Sequence, residues 1–243
     1  MVFGLFSKER ALNKAKKKAL NKLAQSPERW AALETLRDDG TEDSLYTLCQ
    51  RLSYQSVKPI EDEQEKEWVV ETLVGKGLTA LGALRKYMET ATSIALTLGI
   101  LERIADKTKI LEVVDELLGR EEPGYTRDPT KRIQIIDWLG EWKPGEDQQV
   151  LSRIQPYLVD FDENVRFAAV NAFSLRPIES AAEPLVEALL REDEDSRRLK
   201  VRIAEILADE QLSLCGRKKD ISELTGDVLS GFRLRRDKLI HKK

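Results

Sequence analysis

The sequence has little of what enzymes and secreted domains usually rely on. Its 243 residues include two cysteines, Cys49 and Cys215, with no CxxC pair. That excludes a disulfide framework and points to a reducing compartment. The one histidine, His241, lies near the C-terminal end. It leaves no histidine-rich metal site and no Ser/His/Asp or Cys/His pair on an ordered scaffold. Aromatic residues make up only 6% of the chain against 34% charged, a balance that favours exposed helices over a thick β-sandwich. No run of 18 apolar residues is present, so nothing reads as a membrane span. The segment Met1–Phe6 is too short for a signal-peptide apolar region and lacks a cleavage site. These absences predict a cytoplasmic protein. The glycines stand singly at expected helix ends, with no phosphate loop and no metal-ligand spacing, so neither a cofactor nor catalysis is expected.

What the chain does have is charge, unevenly spread. The net charge is −3. The first 23 residues carry +6 and the last 13 carry +5, so the body between them carries −14. An acidic body with two basic ends is a poor groove for a nucleic-acid backbone, and nucleic acid is not the expected partner.

Apolar residues recur at i, i+3, i+4 and i+7 in segments of 11–16 residues, separated by short breaks. The pattern predicts helices over 8–25, 27–38, 41–53, 62–75, 77–88, 91–105, 107–119, 130–142, 146–158, 163–175, 178–191, 195–208 and 218–229. The breaks have local causes: Pro27 suits a first helical turn, Thr41 suits an N-cap, and Pro144-Gly145 suits a turn. No alternating strand pattern precedes residue 230. The stretch 232–240 predicts either a small hairpin or an extended charged tail. Cys49, among Leu45, Leu48 and Leu52, is expected in a core.

The helices pair, and a period of 34 emerges in the second half. Segments 132–139, 166–173 and 200–207 superpose. Apolar residues coincide at Ile135/Ala169/Ile203, Ile136/Val170/Ala204, Trp138/Ala172/Ile206 and Leu139/Phe173/Leu207, and a basic residue leads each copy. By this register Trp138 belongs in the core. Trp142 aligns with the polar Arg176 and Glu210 and is the better candidate for an exposed aromatic.

The stretch 158–173 carries Asp160, then Val165-Arg166, then small residues on its second helix, and it resembles a HEAT repeat. The resemblance is clearest over residues 128–208 and weaker over 27–119. It implies an all-α, right-handed α-solenoid of about six helix pairs: 8–38, 41–75, 77–105, 107–142, 146–175 and 178–208. Neighbouring pairs would stack because none buries its apolar face alone. It also implies a structural ladder of Asp160 with Arg166, continued by Glu194 and Lys200. The preceding copy has Thr126 where Asp160 would be, which predicts a gap there. Loops 54–61 and 120–129 fall between the two helices of their pairs, hence on one edge. The expected domains are a basic amphipathic helix over 1–26, a solenoid over 27–230, and a basic tail or hairpin over 231–243.

The function this implies is a non-catalytic scaffold or adaptor that binds another protein along a concave face lined by second helices. Equivalent positions on those helices hold Glu71, Glu102, Asp137, Asn171 and Glu205, an acidic row suited to a basic segment of a partner. Two readings compete at the N-terminus. Leu12, Ala15, Ala19 and Leu23 share a helical face, with Lys14, Lys16, Lys17 and Lys18 covering much of the rest. Such a helix caps the first pair, or it holds the protein at the inner face of a membrane, with Phe3, Leu5 and Phe6 as apolar anchors. Enzymes with similar repeats fit less well. HEAT-type metal-dependent hydroxylases use His-Glu ligands that this chain lacks. DNA glycosylases with HEAT-like arrays need a basic concave face. Nothing identifies the bilin site of repeat-bearing lyases.

Overall fold

A computed structural model describes the backbone of residues 2–242 and the side chains of residues 8–242. The chain forms two compact units, Met1–Arg120 and Glu121–Lys243. The fourth expected pair, 107–142, is divided between them.

Unit 1 holds α1 (Val2–Ala19), α2 (Ser26–Asp39), α3 (Glu42–Leu52), α4 (Pro59–Lys76), α5 (Leu81–Thr90), α6 (Ala95–Ile104) and α7 (Lys107–Leu118). The residues at the breaks explain them. Pro27 and Pro59 open α2 and α4, where a missing N–H leaves no bond unmade. Gly40 ends α2 in the left-handed conformation, φ 62°, and donates its N–H to the Leu36 carbonyl. Thr41 and Asp106 cap α3 and α7 through their side chains. First helices stack on first helices, α1 on α3 and α3 on α5. Second helices stack on second, α2 on α4 and α4 on α6. Leu33, Leu45, Leu48, Cys49, Leu73, Leu84 and Leu98 fill the space between the layers, all fully buried.

α1 corrects the expected 8–25 helix. It starts earlier and stops at Ala19. Asn21 then accepts the Leu23 N–H with its side chain, a local turn that replaces the next helical bond. Leu23 consequently leaves the predicted apolar face and is 84% exposed.

Unit 2 holds α8 (Thr130–Glu141), α9 (Asp147–Ile154), α10 (Glu163–Ser174), α11 (Ala182–Leu190), α12 (Arg197–Asp209) and α13 (Lys218–Leu224). A hairpin of β1 (Phe232–Arg235) and β2 (Lys238–His241) follows. Short 3-10 turns continue α9 over Gln155–Val159, where Pro156 lacks an N–H, and precede α11 over Glu179–Ala181. Asp162 and Ser196 cap α10 and α12. α10 packs between α8 and α12. The aligned residues Ile135, Ala169 and Ile203, Ile136, Val170 and Ala204, and Leu139, Phe173 and Leu207 are all buried, so the 34-residue register holds. Gly140 marks a close approach: a Cβ there would lie 2.8 Å from the Ala172 Cβ.

The end of the chain is a hairpin rather than a solvated tail. Phe232 faces His241 and Leu234 faces Leu239 across an antiparallel register. β2 packs on α12 and buries Leu239. The Leu214 N–H donates to the Asp237 carbonyl at 3.0 Å, tying the hairpin to the chain after α12.

Candidate functional site

In unit 2 each second helix is tied to the next by a buried ion pair. The Arg132 guanidinium on α8 meets the Asp160 carboxylate before α10 at 2.6 Å. One repeat on, Arg166 of α10 meets Glu194 before α12 at 2.7 Å. Both acids lie 28 residues after their arginine. The expected ladder therefore runs forward from each arginine to the next acid. Thr126 stands where the acid of an earlier step would be and carries no charge, so the ladder begins at the Arg132–Asp160 step, which does not involve that position. Lys200 takes no part: the residue 28 positions on is Val228, which has no carboxylate, and Lys200 has no ion-pair partner among the described residues.

The ladder also fixes the edge it runs along. Arg132 donates to the Gly124 carbonyl at 2.9 Å, and the Gly124 N–H donates to Asp160 at 3.2 Å. The Tyr157 hydroxyl donates to the Glu121 carbonyl at 3.0 Å, and burial pushes its pKa up to about 12, so it stays a donor. Arg166 donates to the carbonyls of Asp160 and Phe161 at 2.9 and 3.1 Å. Each anchored backbone is immediately next to an exposed ring. Tyr125 follows Gly124 and is 78% exposed; Phe161 follows Asp160 and is 69% exposed. The two rings meet edge to face, centroids 5.4 Å apart. Val159 is exposed beside them in sequence and lines a groove of about 400 Å³ with Pro156, Leu158, Pro184, Ala188 and Arg191.

Sequence spacing alone missed this aromatic pair. The available signal was position: Phe161 stands between the ladder acid and the capping acid Asp162, where a repeat offers no core for a ring to fill.

The tryptophan assignment reverses. Trp142 is buried, 2% exposed, and Trp138 is half-buried and stacks on it at 5.4 Å. Arg176, the polar residue aligned with Trp142, is itself buried. It donates to the carbonyls of Gly140, Gly145 and Trp142 and pairs with Asp147 at 2.6 Å. A polar residue at an aligned position therefore did not mean an exposed one.

The acidic row is less uniform than its sequence. In unit 1, Glu71 forms a two-point pair with Arg103 at 2.6 and 2.8 Å, which lowers its pKa. Glu102 is exposed with no ion pair among the described residues. In unit 2, Asp137 is exposed yet crowded, and its pKa is raised by desolvation first and by Glu141 second. Asn171 accepts from Arg202 at 3.0 Å, and Glu205 pairs with the same Arg202 at 3.3 Å.

At the N-terminus, Lys16 pairs with Asp43, Lys18 with Glu28 at 2.6 Å, and Lys8 with Asp39 at 3.2 Å. Lys14 and Lys17 are exposed. The side chains of Phe3, Leu5 and Phe6 lie outside the described residues. Among the described residues, no group of three or more His, Cys, Asp or Glu could hold a metal ion, and no helix is long and apolar enough to cross a membrane.

Residues 125–204 match the family model for HEAT repeats, and this segment is a run of such repeats. No curated protein matches the chain. Among solved structures, the chain is similar to human deoxyhypusine hydroxylase in complex with glycerol. The two are 14% identical, with 93% of each chain covered and a TM-score of 0.34. That distance assigns no residue a role.

Proposed function

We propose that the chain is a non-catalytic scaffold that binds another protein through the loop edge of its HEAT repeats. One observation carries this reading: the exposed Tyr125–Phe161 pair is held on a backbone fixed by the buried Arg132–Asp160 and Arg166–Glu194 pairs. Exposed aromatic rings on a rigid frame are the usual energetic anchors of interfaces, because little side-chain freedom is lost on binding. Neighbouring loop residues Glu122 and Asp128 are acidic and exposed, which suits a partner segment carrying basic residues beside an apolar one. Asp137, the row member of the same unit without a cation partner, adds to the attraction at longer range.

The test compares proteins captured from native cytosol by the wild-type chain and by Tyr125→Ala/Phe161→Ala. Loss of two anchors at about 2 kcal/mol each weakens a true partner by roughly a thousandfold. Asp137→Lys slows association at low salt with a smaller loss. A partner captured equally well by the aromatic double variant, with its fold intact by circular dichroism, removes this edge from the interface.

A further inference from the structure

We infer that α1 has two working faces: one caps unit 1, and the other docks on an anionic lipid surface. Capping and membrane contact are alternatives only if they use the same face. The docked face is that of Lys8, Leu12, Ala15, Lys16 and Ala19. Ala15 and Ala19 are buried, and the two lysines reach Asp39 and Asp43 on the neighbouring helices. This is the thin, alanine-rich face, poor for entering lipid but suited to close helix packing.

The other face carries Arg10, Lys14 and Lys17, spaced four and three residues apart and all exposed. None has an ion-pair partner among the described residues. With Asn13 and Asn21 they rim a shallow surface depression of about 380 Å³. The carboxylates that bind α1 engage Lys8, Lys16 and Lys18; Glu28, paired with Lys18, also feels the charge of Lys14, while Arg10 and Lys17 form no ion pair among the described residues. Residues four and seven positions before Arg10 are Phe6 and Phe3, in a helix unbroken from Val2. A row of exposed cations, preceded in sequence by Phe3 and Phe6, suits a bilayer interface, whose headgroups attract cations and whose acyl boundary takes apolar residues. A nucleic-acid strand is the poorer fit, because the row is too short to follow a phosphate backbone.

The test is co-sedimentation of the full chain with vesicles of phosphatidylcholine alone and with added phosphatidylserine, across a salt series. The chain is expected to pellet with the anionic vesicles only, and less as salt rises. Each cation contributes roughly fivefold in partition, so Arg10→Glu/Lys14→Glu/Lys17→Glu should weaken binding by at least about a hundredfold without lowering Tm. Phe3→Glu/Phe6→Glu should also weaken it. Lys8→Glu/Lys16→Glu should lower Tm while affecting vesicle binding less than the triple variant does. The inference is overturned if anionic vesicles pellet no protein, or if the triple variant pellets like the wild type. A salt-dependent shift of a single-stranded oligonucleotide with no vesicle binding would overturn it equally. The scaffold reading rests on a different surface and survives either result.

Discussion

The two units solve one mechanical problem with the same chemistry placed differently. Each must fasten a second helix to the next one, and each uses a buried guanidinium against a buried carboxylate. In unit 2 the acid sits in the loop ahead of the helix, always 28 residues after its arginine. In unit 1 the acid is Glu65, in the second turn of α4, 36 residues after Arg29. Glu65 also receives Arg51 from the end of α3, and Asp62 binds Arg51 at 2.7 Å. One carboxylate thus joins three helices where unit 2 uses one acid per step. α4 is 18 residues long against 12 for α10, so it begins early enough to carry the acid inside the helix. The device is set by burial and reach, and its sequence position can drift while its function in the fold stays.

The largest effect should separate the two arrangements. Glu65→Ala leaves two guanidinium groups buried without their main partner, and Glu194→Ala leaves one. Removing one partner of a buried pair costs about 3–5 kcal/mol. Urea unfolding should place Glu194→Ala in that range and Glu65→Ala at or above its upper end. Equal losses would mean that Asp62 alone satisfies Arg51, and that the shared acid is no more than a one-to-one pair.

Glycine separates them next. In unit 2, Gly140→Val drives a side chain into the Ala172 backbone and should destabilise by about 1–3 kcal/mol. In unit 1, Gly99 lies mid-helix on α6 with nothing within 4 Å of a built Cβ. Gly99→Ala should instead stabilise, by up to about 1 kcal/mol. Thermal melts of both variants give opposite signs if the helices of unit 2 are the more closely packed at this step.

The same contrast explains what could be read from the sequence. The helix order, the 34-residue register of unit 2 and the interior positions were legible because period and burial coincide there. Unit 1 gave a faint repeat because its tie moved into a helix, out of register with any motif. The end of α1 was misread because Ala19, Leu20 and Leu23 continue an apolar rhythm, while Asn21 alone breaks it. Trp138 and Trp142 were exchanged because alignment assumed that Arg176 is exposed, whereas it spends its donors on buried carbonyls. For the candidate site, the ladder acids were visible but not the direction of the ladder. Tyr125 and Phe161 matter through exposure, which periodicity does not report; only the position of Phe161 between two structural acids points to it.

Acid should reach unit 1 through Asp39. Its carboxylate accepts from Thr41 at 2.6 Å and Ser44 at 2.7 Å and faces Lys8. These bonds, Thr41 first, hold its pKa at about 2. The folded value is depressed, so the stabilisation is complete above the unfolded carboxylate range near 4 and is lost as pH falls toward 2. The shift corresponds to about 2 kcal/mol. Asp39→Asn should remove this part of the acid sensitivity and loosen α1, seen as a flatter stability curve between about pH 4 and pH 2.

The smallest effect tests whether burial, rather than pairing, distinguishes these bridges. Glu71 and Arg103 join α4 to α6 with two parallel bonds, a geometry as good as that of Arg29 and Glu65. Both side chains are about half exposed, 58% and 45%, whereas Arg29 and Glu65 are 2% and 0%. In water the attraction is screened, and ordering two long side chains offsets most of what remains. A double-mutant cycle of Glu71→Gln and Arg103→Gln should therefore return a coupling under about 1 kcal/mol, falling further as salt is added. Removing Glu71 leaves Arg103 in solvent, where water replaces the lost bonds; removing Glu65 leaves its arginines where no water reaches. A coupling above about 2 kcal/mol at physiological salt would show that two-point geometry suffices without burial, and the ranking of the two units' bridges would then have to be argued from geometry alone.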